Sequence, residues 1–168
     1  MKIDSLTVYP IKSFRGISLP AATLHQHGFP YDRTFMLLQV HHAENGETTY
    51  KNMSVATFNE MVRFFPEFKT PFPPPSGKES EAVMTITHYP INGAEGQQGR
   101  RMDVPLVPDV EGLGEVDVLM HLSPTKAFRM QDHYNDWLSS CFGFECILAY
   151  ISDNLREVRR GRWGRRSR

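Results

Sequence analysis

The sequence predicts a mainly β fold of the α+β class. It reads as a small antiparallel or mixed β-barrel with one or two helices, the clearest lying in the C-terminal half and packed on the barrel. Three observations lead there. Short apolar or alternating runs recur between turn residues, as strands do. Only one stretch, near residue 135, carries a well-defined helical apolar stripe. The chain has 168 residues, 40% of them apolar, enough for one buried core.

The elements follow in order. Residues 2–9 (KIDSLTVY) are rich in β-branched and aromatic side chains and read as a strand, limited by Pro10. Gly16 opens a second short run, 17–24, interrupted by Pro20, and His27, Gly28, Phe29 and Pro30 have turn chemistry. Residues 34–40 (TFMLLQV) are almost continuously apolar between turns, so a strand buried on both faces is expected. Asn45-Gly46 is a tight-turn dipeptide and makes residues 35–52 a hairpin. In 52–68, Phe58, Met61, Val62 and Phe65 have helical spacing and Pro66 stops any helix, which gives a short helical turn leading into a strand. Four prolines and a glycine make 70–80 a loop. Residues 82–88 alternate as a strand, 90–99 form a glycine-rich excursion expected to be mobile, and 101–107 and 116–121 are further strands. Tyr134, Trp137, Leu138, Cys141 and Phe142 share one helical face over 132–142, with Asp132 placed to cap the start and Gly143 the end. Residues 145–150 (ECILAY) return as a strand.

Composition excludes several classes. No apolar run reaches the ~20 residues of a membrane span or follows a charged N-terminus as a secretory signal would, so the expectation is a soluble, cytoplasmic protein. Cys141 and Cys146 are too few for a disulfide framework, lack metal-site spacing, and are expected to be inert core thiols. The zero net charge conceals an asymmetry: residues 1–155 carry 12 basic and 18 acidic groups, while seven arginines fall in the last thirteen positions. An acidic body with a basic tip is not the footprint of a specific nucleic-acid-binding fold. Phosphate loops, G-x-G-x-x-G, H-E-x-x-H, C-x-x-C and G-x-S-x-G are absent. His25, His27, His41 and His42 sit in expected turns without converging acidic partners, so no metal site is assigned, and Met36, Met53, Met61 and Met84 read as core fillers. Asn52, at a hairpin end, is a weaker candidate for a ligand contact.

One segment stands out. Residues 9–16 (YPIKSFRG) precede, across a turn, Tyr31-Asp32-Arg33. Lys12, Ser13 and Arg33 together offer an oxyanion a point charge, a hydroxyl donor and a planar fork. Backbone N–H groups of Ser13 and Phe14 add donors if the chain forms a nest there. The alternative is an ordinary loop Lys-Ser with Arg33 paired to its neighbour Asp32, a pairing that a strand at 32–33 would weaken by sending the two side chains to opposite faces.

LTVYPIKSFRG at 6–16, with GFPYDRTFMLL at 28–38, closely resembles the N-terminal β-barrel domain of MOSC proteins. That family includes the mitochondrial amidoxime-reducing component, bacterial iron–sulfur MOSC proteins and the C-terminal part of molybdenum cofactor sulfurase. Asn52-Met53, SPTKA at 123–127, DWL at 136–138, FGF at 142–144 and LAY at 148–150 extend the resemblance over 1–158. The resemblance implies that Lys12, Ser13 and Arg33 contact the phosphate of the molybdenum cofactor, molybdopterin. It further implies an oxidoreductase that reduces N-oxygenated substrates with electron-transfer partners, with pyridoxal phosphate binding and mitochondrial association as family traits. In the family, the cysteine that ligates molybdenum stands in a catalytic MOSC domain after the barrel. This chain reaches Arg168 first, so the expectation is a barrel fragment, inactive by itself and binding cofactor weakly or not at all, whose missing partner is that domain. The alternatives are a non-catalytic β-barrel interaction module or a truncated gene product. Residues 159–168 (RRGRWGRRSR) leave the family pattern and read as a disordered or aberrant basic tail, able to touch nucleic acid or anionic lipid only nonspecifically.

Overall fold

A computed structural model describes residues 2–25, 28–69, 72–90, 98–120 and 123–152. The expected tail at 159–168 and most of the 90–99 excursion lie outside the described residues.

The centre of the molecule is the apolar strand anticipated from TFMLLQV, which runs Phe35–His42. We number strands in chain order: β1 Leu6–Val8, β2 Ile17–Leu19, β3 Phe35–His42, β4 Thr48–Asn52, β5 Phe64–Phe68, β6 Val83–His88, β7 Arg100–Pro105, β8 Glu115–Met120, β9 Ser123–Arg129 and β10 Cys146–Tyr150; the helix α1 is Asp132–Phe142. Five antiparallel strands follow the order β4-β3-β10-β9-β8. The two outer strands of this sheet approach each other, and the Asn52 amide donates to the Leu119 carbonyl across the gap, so the sheet curls into a nearly closed barrel. Alternation sends Met36 and Leu38 of β3, with Ile147 and Ala149 of β10, to one face, where they pack with Val116, Val118 and Ala127. Small side chains at Ala127 and Ala149 suit so narrow a barrel.

The opposite face of β3 and β10 carries Phe35, Leu37, Cys146, Leu148 and Tyr150 and belongs to a larger core. This face is covered by α1 and by a second sheet, β5-β6-β7. The strand is therefore buried on both faces, as its composition requires. Met36, Met53, Met61 and Met84 are all fully buried core side chains. The expected short helical turn forms at Asn59–Arg63 and leads into β5, so the helical stretch ends before Pro66. Pro66 lies inside β5, the edge strand of the three-stranded sheet, where a missing N–H is tolerated.

The expected hairpin forms, its turn closed by Gly46 N–H to Ala43 O (2.9 Å) and Ala43 N–H to Glu47 O (2.8 Å). β3 extends further than expected, so His41 and His42 are strand residues and not turn residues. α1 matches its expected bounds, with Tyr134, Leu138 and Phe142 buried and Trp137 packed against the core. Gly143 ends it at φ +79°, as a left-handed C-terminal residue, with its N–H on Ser139 O at 2.8 Å. Asp132 does not cap the start: Gln131 holds the cap position without a side-chain bond, and Asp132 pairs with Arg129 at 2.8 Å. β9 was not anticipated. Only Ala127 of its described side chains is buried, so the run has no apolar signal. Asn135 ties the helix to the sheet, donating to Met130 O (2.8 Å) and accepting from Leu148 N–H (2.9 Å). No helix among the described residues is long and apolar enough to cross a membrane.

Candidate functional site: two strained turns beside the central strand

Two tight turns meet at the start of β3. After β1 the chain passes Tyr9-Pro10 and forms a bridge to β3, with Phe35 N–H donating to Pro10 O (3.0 Å) and Lys12 N–H to Phe35 O (2.9 Å). Ile11 and Phe14 are buried on either side of Lys12-Ser13, and Phe14 stacks on Phe64 with centroids 4.4 Å apart. Phe14 N–H closes the turn on Ile11 O (3.2 Å), with Ser13 at φ 71° in its third position. That bond occupies the Phe14 donor, so the expected nest lacks it.

The second turn is Phe29–Asp32, closed by Asp32 N–H on Phe29 O (3.3 Å), with Tyr31 at φ 63°. Positive φ at its third position is what a type II turn requires, and proline is common at its second. Arg33 follows, itself left-handed at φ 55°. Asp32 and Arg33 are turn residues, and the argument that they face apart along a strand fails: Arg33 Nη1 donates to Asp32 Oδ2 at 2.6 Å. Ser13, Tyr31, Arg33 and Ser152 are the non-glycine residues at positive φ among the described residues. All gather at one corner, since Ile151 N–H, next to Ser152, donates to Thr34 O at 2.9 Å. Each such conformation costs about 1–3 kcal/mol and persists only where the surroundings dictate it.

Tyr9 holds the two turns together. Its N–H donates to Asp32 Oδ1 (2.9 Å), and its carbonyl accepts from Arg33 N–H (2.7 Å). The Arg33 guanidinium lies over the Tyr9 ring, 5.6 Å from its centroid. Gly16 also lies against this ring: any Cβ there would sit 2.8 Å from Tyr9 Cε1. Tyr9 thus holds Arg33, and Gly16 leaves room for the Tyr9 ring, roles that the residue types alone did not reveal. The seven-residue spacing between the tyrosine and the glycine was the available signal.

Lys12 and Arg33 are brought within electrostatic reach. The Lys12 ammonium is held below its ordinary value first by burial and then by the Arg33 charge. Arg33 keeps its side chain 42% exposed while bound to Asp32. The corner therefore presents two cations to solvent, one of them already oriented by a carboxylate.

The other candidates separate from this corner. Asn52 is engaged with Leu119, as described above. Burial pushes the Cys146 thiol up to about 12 and raises Cys141 as well, so neither offers a thiolate near neutral pH. His42 contacts Glu145 Oε2 (2.7 Å) and Thr48 Oγ1 (3.1 Å) on the surface. Among the described residues, no three His, Cys, Asp or Glu side chains group to hold a metal ion; His27 lies outside the described residues.

Residues 1–70 match the family model described as the MOSC N-terminal beta barrel domain. The N-terminal part of the chain is thus similar to the barrel with which MOSC proteins begin. The matched span carries β1 to β5 and both turns, including Lys12, Ser13 and Arg33. No curated protein and no solved structure matches the chain.

Proposed function

We propose, with the MOSC N-terminal barrel match as premise, that this chain is the cofactor-binding barrel of a MOSC-type molybdenum-cofactor oxidoreductase. In this reading Lys12, Ser13 and Arg33 grip the phosphate of the molybdopterin. The observation that carries it is that Lys12 and Arg33 stand on two separate turns tied to the same short stretch of chain, by Arg33 N–H on Tyr9 O and Lys12 N–H on Phe35 O, inside the segment that matches the family.

The donor set suits a phosphate. Lysine supplies a compact charge and arginine a planar fork, and Ser13, next in the same turn as Lys12, supplies a hydroxyl. Lys12 is destabilised by burial and by a neighbouring cation before any ligand arrives. A phosphate dianion between them reverses the sign of that neighbour, so Lys12 holds its proton more tightly in the complex. Asp32 orients Arg33 from behind and offsets one of the two positive charges. When bound, the cofactor supplies the metal-centred two-electron chemistry. The barrel's own residues bind and orient its phosphate end, and ligation of the metal falls to a following catalytic domain with its electron-transfer partners.

Charge-assisted hydrogen bonds contribute about 1.5–3 kcal/mol each, so two of them give about 3–6 kcal/mol. That corresponds to roughly millimolar to high-micromolar affinity for the barrel alone. Calorimetric titration of the chain with metal-free molybdopterin tests the assignment. Binding in that range, lost in the Lys12→Met/Arg33→Met double variant, is expected; equal binding by that variant would overturn the grip.

A further inference from the structure

The turn that carries Arg33 has a second side. Phe29, Pro30 and Tyr31 wall a cavity of about 510 Å³ that is completed by Tyr150, Pro73 and Glu79, and none of Lys12, Ser13 or Arg33 lines it. The size falls in the usual range for small-molecule pockets. Its wall is braced from behind: Tyr31 meets Phe72 edge-on at 5.9 Å, and Phe72 stacks on Phe68 at 4.6 Å.

We propose that this cavity is a binding site for a small organic cation of the quaternary-ammonium class, distinct from the phosphate corner. Three aromatic side chains, Phe29, Tyr31 and Tyr150, line it, and ring faces attract ammonium charge without needing hydrogen bonds from the ligand. Among the described residues Glu79 is its only carboxylate, no lysine or arginine lines it, and His25 is its only basic side chain. Glu79 forms no ion pair among the described residues, whereas its near neighbours Lys78 and Glu81 pair with each other at 3.6 Å. Thr34, also in the lining, donates its Oγ1 hydroxyl to Tyr31 O at 3.4 Å. The cavity thus offers a ligand three aromatic side chains and one carboxylate that forms no ion pair among the described residues. Consistent with that geometry, the Tyr31 hydroxyl is pushed above its ordinary value by burial and then by the Glu79 charge. The side chain and the carboxylate thus act on the same space.

Titration of the full chain with benzyltrimethylammonium, benzyl alcohol and benzenesulfonate, followed by calorimetry, tests this site. Saturable binding of the cation is expected, at least tenfold tighter than that of the neutral ring, with no binding of the sulfonate. Glu79→Gln, a substitution at an exposed position, should weaken the cation at least fivefold, and Tyr31→Leu should weaken it further. The neutral alcohol or the sulfonate binding as well as the cation would overturn the proposal, as would an unchanged affinity in Glu79→Gln. Inorganic phosphate at saturating concentration should leave the cation affinity unaltered; loss of cation binding in phosphate would overturn the claim that the two sites are distinct.

Discussion

Ser13 holds a backbone conformation that its side chain disfavours, and that fact can be turned into a measurement. At φ 71° a Cβ is strained, so glycine relieves the position while removing the hydroxyl. Ser13→Gly should raise unfolding free energy by about 0.5–1 kcal/mol, part of the relief being spent on a more flexible unfolded chain. It should at the same time weaken phosphate binding. Urea titration and calorimetry on the same preparation check both directions, and a variant that is less stable and binds equally well would contradict the role given to Ser13. Residue types alone singled out Lys12, Ser13 and Arg33, because an ammonium, a hydroxyl and a guanidinium suit an oxyanion. What holds them was not legible. Tyr9 acts through both of its backbone groups and its ring, and Gly16 acts by lacking a side chain. Neither role follows from a residue's own chemistry. Arg33 and Tyr31 adopt positive φ because the surrounding fold dictates it, and side chains that ordinarily avoid that region give no warning.

Among the elements, the three-stranded sheet meets the helix around Phe64, which stacks with Phe14, His88 and Phe142 and touches Trp137 edge-on. His88, at the end of β6, is the polar member of that stack. It is 5% exposed, and its Nδ1 has no hydrogen-bond partner among the described residues. Burial first, then the charges of Arg100 and Arg63, hold it below its ordinary value of 6.5. With the folded value depressed, the unfolded chain binds the proton more readily, so this contribution is fully present above about pH 6.5 and is lost as the pH falls towards the folded value. Melting temperature should therefore drop between pH 7 and pH 5, and His88→Phe, which preserves a ring on Phe64, should flatten that slope. An identical slope in the variant would show that His88 does not set it. Local elements were the readable ones. The β3–β4 hairpin is fixed by Asn45-Gly46, and α1 by its apolar stripe and Gly143, all within a few residues of one another. β9 was missed because its buried side chain is a small alanine and its second residue a proline that pairs with β8. The capping carboxylate went to Arg129 because an ion pair three residues away competes for it.

At the scale of the whole molecule, a nearly closed five-stranded barrel and a second sheet share β3 and β10 as their common wall. A strand buried on both faces announces that it is central, yet which strands cover each face depends on pairings far apart in the chain, such as Leu37 with Leu148. Barrel character was thus readable from strand number, and the separate β5-β6-β7 layer was not. This arrangement leaves the start of β3 as a corner where chain segments from residues 9–16, 29–34 and 150–152 converge. Packing there imposes the cost of left-handed residues, and Lys12 and Arg33 share the charge that a phosphate would neutralise. The most direct test is NMR titration of the Lys12 side-chain resonances with and without a phosphomonoester. Lys12 should lose its proton at a lower pH than an ordinary lysine, and Arg33→Met or bound phosphate should each move that transition upwards. A Lys12 that titrates like a free lysine and ignores both changes would contradict the convergence of these two cations.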